Sequence, residues 1–303
     1  MIPEVSVVIP TFGREDVLVR TLEGLGPQVT PRHELIVVDQ SESHAAETIR
    51  ALESMVAASS IRWIRLSKPS IPGAMNRGLL EARGRIVLFL DDDIEPQPDL
   101  LQAHADSHRG SDDSKIVAGQ VLQPGEVAEE LRGAQFSFRS SIAQQVDEFM
   151  GGNFSVPRRF AIEVGGFDES FRGAAYRFEA EFSIRAQRAG SSIRFEPRAG
   201  VRHLRAPAGG TRAVGNHLET PRPHHTVGEY YFLLRCRPNG WFVAMVRRPI
   251  RAVGTRYHRK RPWRIPGSLI AELAGLLWAV GLASRKPALL PRDRSSQGTA
   301  SWS

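Results

Sequence analysis

The sequence predicts an α/β fold: a mostly parallel sheet flanked by helices, followed by a basic helical C-terminal extension. Three observations carry this expectation. Apolar runs without alternation recur through the first 125 residues, as in strands buried on both faces. Segments with helical spacing separate them, and parallel strands so connected need right-handed crossovers. The charge is also unevenly divided. Residues 1–197 hold 21 basic and 29 acidic side chains, whereas residues 198–303 hold 19 and 4, within a net charge of +7.

The elements follow in order. Residues 5–10 form a first strand rich in valine and isoleucine, and 16–25 a helix with Val17, Leu18, Leu22 and Leu25 on one side. Residues 34–38 are a second buried strand, 45–58 a helix, 61–66 an alternating strand and 73–83 a helix. Residues 86–90 are a third continuous apolar run; 100–107 and 116–121 add a helix and a strand. Beyond residue 126 the pattern becomes irregular, apart from a helical run over 179–189. Residues 230–237 and a basic amphipathic stretch over 241–258 also have helical character. Residues 259–266 read as a Pro- and Arg-rich hinge before the apolar segment 267–283.

Composition bounds the function. A chain of 303 residues has ample length for a packed core. The single cysteine, Cys236, excludes a disulfide framework and a thiolate metal cluster. The first ten residues lack the features of a secretory signal. The apolar stretch 269–283, interrupted by Glu272, is shorter than the roughly 20 residues that span a bilayer, so no transmembrane helix is expected.

In a parallel sheet, ligands bind beyond the carboxyl ends of the strands. Three strands here deliver polar groups to that edge: Thr11, Asp39, and Asp91-Asp92-Asp93. Crowded carboxylates repel unless a cation compensates them, and Mg²⁺ or Mn²⁺ held by one or two carboxylates plus substrate phosphates would do so. A solvated acidic turn is the plainer alternative, made less attractive by the position. A phosphatase-type aspartate fits poorly with the Ile94-Glu95 that follows.

Several motifs now converge. The stretches 5–11 (VSVVIPT), 37–41 (VVDQS), 73–78 (GAMNRG), 86–93 (IVLFLDDD), 151–153 (GGN), 165–169 (GGFDE) and 179–190 (EAEFSIRAQRAG) occur in an order and spacing that resemble family 2 glycosyltransferases. The resemblance covers about residues 3–205. It implies the A-type fold, with its Rossmann-like sheet, and transfer of a sugar from a nucleotide-diphosphate sugar with inversion at the anomeric carbon. UDP-sugars are favoured, with GDP- and dTDP-sugars as alternatives. It further implies that Pro10, Thr11 and Arg14 lie under the nucleotide, and that Asp39 accepts from the base. Asn76 would close over the nucleoside, and Asp91 and Asp92 would lie on the donor side. Asp93 would hold Mg²⁺ or Mn²⁺ with Asp91, and His203 would be a third ligand. Gly152 and Asn153 would face the acceptor.

An inverting transfer needs a carboxylate base for the acceptor hydroxyl. Alignment on Arg185 puts Glu179 where the family carries its catalytic aspartate and Phe178 where it carries a glutamate. The expected base is therefore Glu179, one methylene longer than usual, with Glu181 as the alternate. The rivals are a non-catalytic nucleotide-sugar or glycan-binding relative, suggested by that altered window, and a nucleotidyltransferase. Residues 10–16 lack the Gly-rich basic loop that a nucleotidyltransferase would carry.

Residues 1–205 are expected to form the catalytic domain, 206–285 a basic amphipathic extension and 286–303 a disordered tail. In the extension, arginines interleave with Trp241, Phe242, Tyr257 and Trp263. Cations with interfacial aromatics fit an anionic membrane surface, and no nucleic-acid motif accompanies them. The expected setting is cytoplasmic, peripheral at the inner face of the plasma membrane, with a glycan or lipid-linked acceptor of cell-surface polysaccharide synthesis.

Overall fold

The computed structural model describes residues 2–110, 113–210 and 220–291. Its first half alternates strand and helix: β1 (Val5–Thr11), α1 (Asp16–Leu25), β2 (His33–Asp39), α2 (Ala46–Ala57), β3 (Arg62–Arg65), α3 (Ile71–Glu81), β4 (Ile86–Leu90), β5 (Ile94–Pro96), α4 (Leu100–Ser107) and β6 (Ile116–Leu122). Then come β7 (Gln144–Val146), β8 (Asn153–Pro157), α5 (Arg158–Glu163), α6 (Phe178–Arg188) and β9 (Ile193–His203). Four helices follow: α7 (Val227–Cys236), α8 (Trp241–Val253), α9 (Arg256–Lys260) and α10 (Ile265–Ala283).

The strands join one sheet in the order β3-β2-β1-β4-β8-β6-β9-β5, with β7 on β9. The quartet β3-β2-β1-β4 is parallel, as its unbroken apolar runs require. Past β4 the sheet is mixed, which narrows the mostly parallel expectation. β8 runs antiparallel to β4 and β6, while β6 and β9 are parallel. β5 and β7, three residues each, carry too little pattern to be read in advance.

Alternate residues of the parallel strands feed two cores. Val8, Ile36, Val38 and Phe89 face one layer with Phe154, Phe167 and Phe182. Val7, Ile9, Val37 and Leu88 face the other with Leu18, Leu22 and Leu25 of α1. Phe89 stacks on Phe154 at 5.0 Å and meets Phe167 edge-on at 5.3 Å.

Three expectations change here. First, Tyr230, Tyr231, Phe232 and Leu233 of α7 share the core of β4 and β8, so the division at residue 205 marks a change of charge and not of packing. Second, residues 286–291 are tied down. The Ala288 N–H donates to Asp168 Oδ1 (2.9 Å), its carbonyl accepts from Glu169 N, and Leu290 N donates to Gly165 O. Residues 292–303 lie outside the described residues. Third, α10 starts at Ile265, because a proline in the first helical turn has no N–H to waste. By length and composition alone, the stretch Pro262–Ala283 could cross a membrane.

Beneath the sheet, His104 and His108 converge on Ser155 Oγ, each at 2.8 Å, and both are buried. Burial lowers their pKa values to about 4 and about 3. The unfolded chain therefore takes up protons near pH 6.5 that the folded chain refuses. Stability should be full above pH 6.5 and fall by about 2 kcal/mol per histidine on acidification to pH 5. Thermal melts across that window check this; a flat Tm would contradict it.

Candidate active site

The acidic triplet separates into three environments. Asp91 follows β4 at an exposed position, yet desolvation raises its pKa to about 6; His203 opposes the shift, and Asp92 and Asp93 add to it. Its backbone N–H continues the β4–β8 ladder by donating to Gly152 O (3.0 Å).

Asp92 turns inward. Burial raises its pKa, opposed by Arg14, whose Nε donates to Oδ1 at 3.0 Å. Asp93 is buried as well, yet its pKa is lowered. The burial effect is outweighed by His203 (Nε2 to Oδ1, 3.1 Å), by Arg14 (Nη2 to Oδ2, 3.2 Å) and by the Ala206 N–H (2.8 Å). Pairing of Ile94 with His203 between β5 and β9 brings the histidine there.

Asp91, Asp93 and His203 each offer a ligand atom, all within 4.8 Å of one another. Two carboxylates and an imidazole fit Mn²⁺ or Mg²⁺. Gln123 Oε1, 3.1 Å from His203 Nδ1, orients the ring from the side away from Asp93. No local signal marks Gln123, which lies 80 residues from its partner.

Several of the expected site residues have partners within the protein. Arg14 is 6% exposed and engaged by Asp92, Asp93 and the carbonyls of Ala206 and Ala208, so it braces the triplet. Asp92, its counter-ion, is buried with it. Asn76 is buried. Its amide donates to Phe167 O (2.8 Å) and to Glu169 Oε1 (2.9 Å), while its oxygen accepts from Phe167 N (2.8 Å). It clamps the 165–169 loop. Asn153 is fully buried too, donating to Gln120 O and Ala199 O, so it joins strands.

Pro10 and Thr11 end β1, with Thr11 in register with Asp39. Asp39 is buried and accepts from Ser41 N (2.9 Å), Trp63 Nε1 (3.0 Å) and His44 Nε2 (2.9 Å). These bonds outweigh burial and lower its pKa. His44 and Trp63, unnoticed in the sequence, both donate to the Asp39 carboxylate.

The first turn of α6 carries two acids, which suit the helix dipole there. Glu181 is engaged by Arg185 through both oxygens (2.9 and 2.7 Å), which removes it as a base. Glu179 is half-buried and its pKa rises to about 7, from desolvation first and then from Glu148 and Asp91; Arg177 opposes. A side-chain Cβ at Gly151 would stand 3.9 Å from Glu179 Cβ, and one at Gly152 would stand 2.0 Å from Asp91 Oδ2. The side chains of Glu179 and Asp91 thus lie beside consecutive glycines.

The geometry makes Gly152 a test of Asp91. Gly152→Ala should force the Asp91 carboxylate to swing away, because its end moves more readily than backbone. Mn²⁺ affinity and turnover should each fall at least about tenfold with Tm changed by only a few degrees. Isothermal titration with Mn²⁺ and a melting curve measure both.

A family model described as Glycosyl transferase family 2 matches residues 6–181. The chain belongs to that family. This glycosyltransferase is 27% identical over 177 residues to the GalNAc(5)-diNAcBac-PP-undecaprenol beta-1,3-glucosyltransferase of Campylobacter jejuni, covering 56% of this chain and 57% of the relative. It is 30% identical over 206 residues to validoxylamine A glucosyltransferase of Streptomyces hygroscopicus subsp. limoneus, covering 57% and 45%. The chain thus spans about half the length of these curated relatives. Among solved structures, the mannosyltransferase PcManGT from Pyrobaculum calidifontis, in complex with GDP-Man and Mn²⁺, superposes with a TM-score of 0.53 at 18% identity, covering 94% of this chain and 79% of that one. S. aureus TarS 1–349 in complex with UDP-GlcNAc gives 0.54 at 18% identity, covering 71% and 62%. The fold of this enzyme is the glycosyltransferase A-type.

Proposed function

We propose that this glycosyltransferase is an inverting, metal-assisted enzyme that moves a sugar from a nucleotide-diphosphate sugar to a hydroxyl of a glycan or lipid-linked acceptor. The observation that carries the proposal is the cation-ready set Asp91, Asp93 and His203 standing across two glycines from the half-buried Glu179, whose carboxyl is desolvated.

The chemistry follows from that arrangement. Glu179 accepts the proton of the acceptor hydroxyl as its oxygen bonds to the anomeric carbon. On the opposite face the bond to the nucleoside diphosphate breaks, and the pair leaves with the phosphate oxygen. A base whose pKa lies near neutrality is well matched to this transfer. Mn²⁺ or Mg²⁺, when bound, would neutralise charge on the departing diphosphate. Asp91 and Asp93 would hold it; His203, oriented by Gln123, would complete the protein's share. Arg14 keeps the triplet assembled, and Gly152 leaves room for Asp91.

Asp39 supports a UDP-sugar as donor, since uracil N3–H suits a charged acceptor, with GDP- and dTDP-sugars next. The chain's likeness to a relative named for an undecaprenol-linked substrate supports a lipid-linked acceptor in cell-surface glycan assembly.

Thermal-shift measurements over a panel of UDP-, GDP- and dTDP-sugars with Mn²⁺, Mg²⁺ or EDTA test this reading. A donor at a hundred times its Kd adds about 2.7 kcal/mol to stability. The largest shift should come from a UDP-sugar and vanish in EDTA. Equal shifts with and without the metal would remove metal assistance from the scheme.

A further inference from the structure

We propose that the outward faces of α8 and α10 form a docking surface for an anionic lipid bilayer, with both helices lying in the plane of the interface. The proposal concerns where the enzyme works and is independent of which donor it uses.

The two helices pack on each other and share an unusual division of side chains. On α8, Phe242, Val246 and Ile250 recur at i, i+4 and i+8; on α10, Ile270, Leu273 and Leu277 form a second stripe. All six are 56–69% exposed. Water does not tolerate so much adjacent apolar surface without a partner.

Charge identifies the partner. Residues 241–283 contain eight arginines and lysines and one acid, Glu272. That acid faces inward: it is buried, accepts from Tyr230 Oη at 2.7 Å, and pairs with Arg248 at 3.1 Å. The basic side chains that remain outside include Arg247 and Arg251, beside the α8 stripe, and Arg256, Arg259, Lys260 and Arg261 in and after α9. A face of apolar stripes bordered by cations, with its one acid turned inside, is complementary to acyl chains beneath anionic headgroups.

Packing decides between lying in the membrane plane and crossing it. The inner side of α10 is fastened to α7 and the turn before it. Thr226 Oγ1 donates to Ala271 O (3.0 Å), His224 meets Trp278 edge-on at 5.9 Å, and Ala279 lies in the hydrophobic core. A Cβ at Gly275 would stand 1.9 Å from Thr226 Oγ1, so only glycine admits this approach. A helix bound along its length to the catalytic core cannot also traverse a bilayer.

The surface lies one helix from the base. Glu229 of α7 pairs with Arg177 at the start of α6 (3.3 Å), and the next residue, Tyr230, holds Glu272 of α10. Docking there would hold α6 and Glu179 close to the headgroup layer.

Flotation of the full-length protein with vesicles of 70% phosphatidylcholine and 30% phosphatidylglycerol, against pure phosphatidylcholine, tests the proposal. The protein should rise with the anionic vesicles, at least about tenfold more than with neutral ones. The triple variant Arg247→Gln/Arg251→Gln/Arg259→Gln should lower that partition about a hundredfold, near fivefold per charge. Phe242→Ser/Ile250→Ser/Leu273→Ser should abolish it, with donor turnover in vesicle-free buffer unchanged for both variants. Wild-type protein remaining at the bottom with anionic vesicles overturns the proposal. So does carbonate-resistant insertion, which would mean crossing, or a wild-type dimer that the serine variant converts to a monomer.

Discussion

Glu179→Gln should reduce turnover by about 10²–10⁴, the usual contribution of a positioned proton acceptor. Nucleotide affinity should stay within about twofold, because the amide keeps the shape and α6 loses no partner. The variant relieves repulsion from Glu148 and Asp91, so its Tm should equal or slightly exceed that of the wild type. In the wild type, the base works only when ionised. Its raised pKa therefore places the rise in kcat/KM near pH 7, climbing with pH, and that limb should disappear in the variant. Glu181→Gln is the control: it breaks a bidentate pair with Arg185 and should affect stability more than rate. Near-normal turnover in Glu179→Gln would move the base elsewhere.

What the sequence revealed and what it hid follow from the range of the interactions. The strands β1, β2 and β4 were legible because burial on both faces writes itself as an unbroken apolar run. The triplet was legible because a strand end fixes its place. The partition of its roles was not. Arg14 reaches Asp92 across 78 residues and Ala208 across 194, and no local pattern announces such a contact. The resemblance put Asn76 over the nucleoside and Asn153 on the acceptor side, and says nothing of the buried backbone groups that each satisfies, which no local pattern announces. Pro262 and Pro266 suggested a break, although a first-turn proline begins a helix as readily as it ends one. The resemblance favoured Glu179 over Glu181 as the base; the bidentate pairing of Glu181 with Arg185 is a tertiary detail it did not supply.

Arg14→Met should be the most destabilising single change in the site. The guanidinium is 6% exposed and lies between two buried carboxylates at 3.0 and 3.2 Å. Removing it leaves Asp92 with no cation beside it and Asp93 with His203 alone. Breaking a buried pair in this way costs about 3–5 kcal/mol, most of it from the charge left behind. For a chain of this size that amounts to a Tm lower by roughly 5–8 °C. The loss should be largely repaired in Arg14→Met/Asp92→Asn, since the amide needs no counter-ion, and the double-mutant cycle should show strong coupling. Mn²⁺ should stabilise the Arg14→Met protein more than the wild type, because Asp93 then gains a cation it lacks. The opposite outcome, additive losses and equal metal response, would mean that Arg14 holds the 206–210 segment and not the triplet. Arg14 is then the brace that lets three adjacent aspartates keep three different environments.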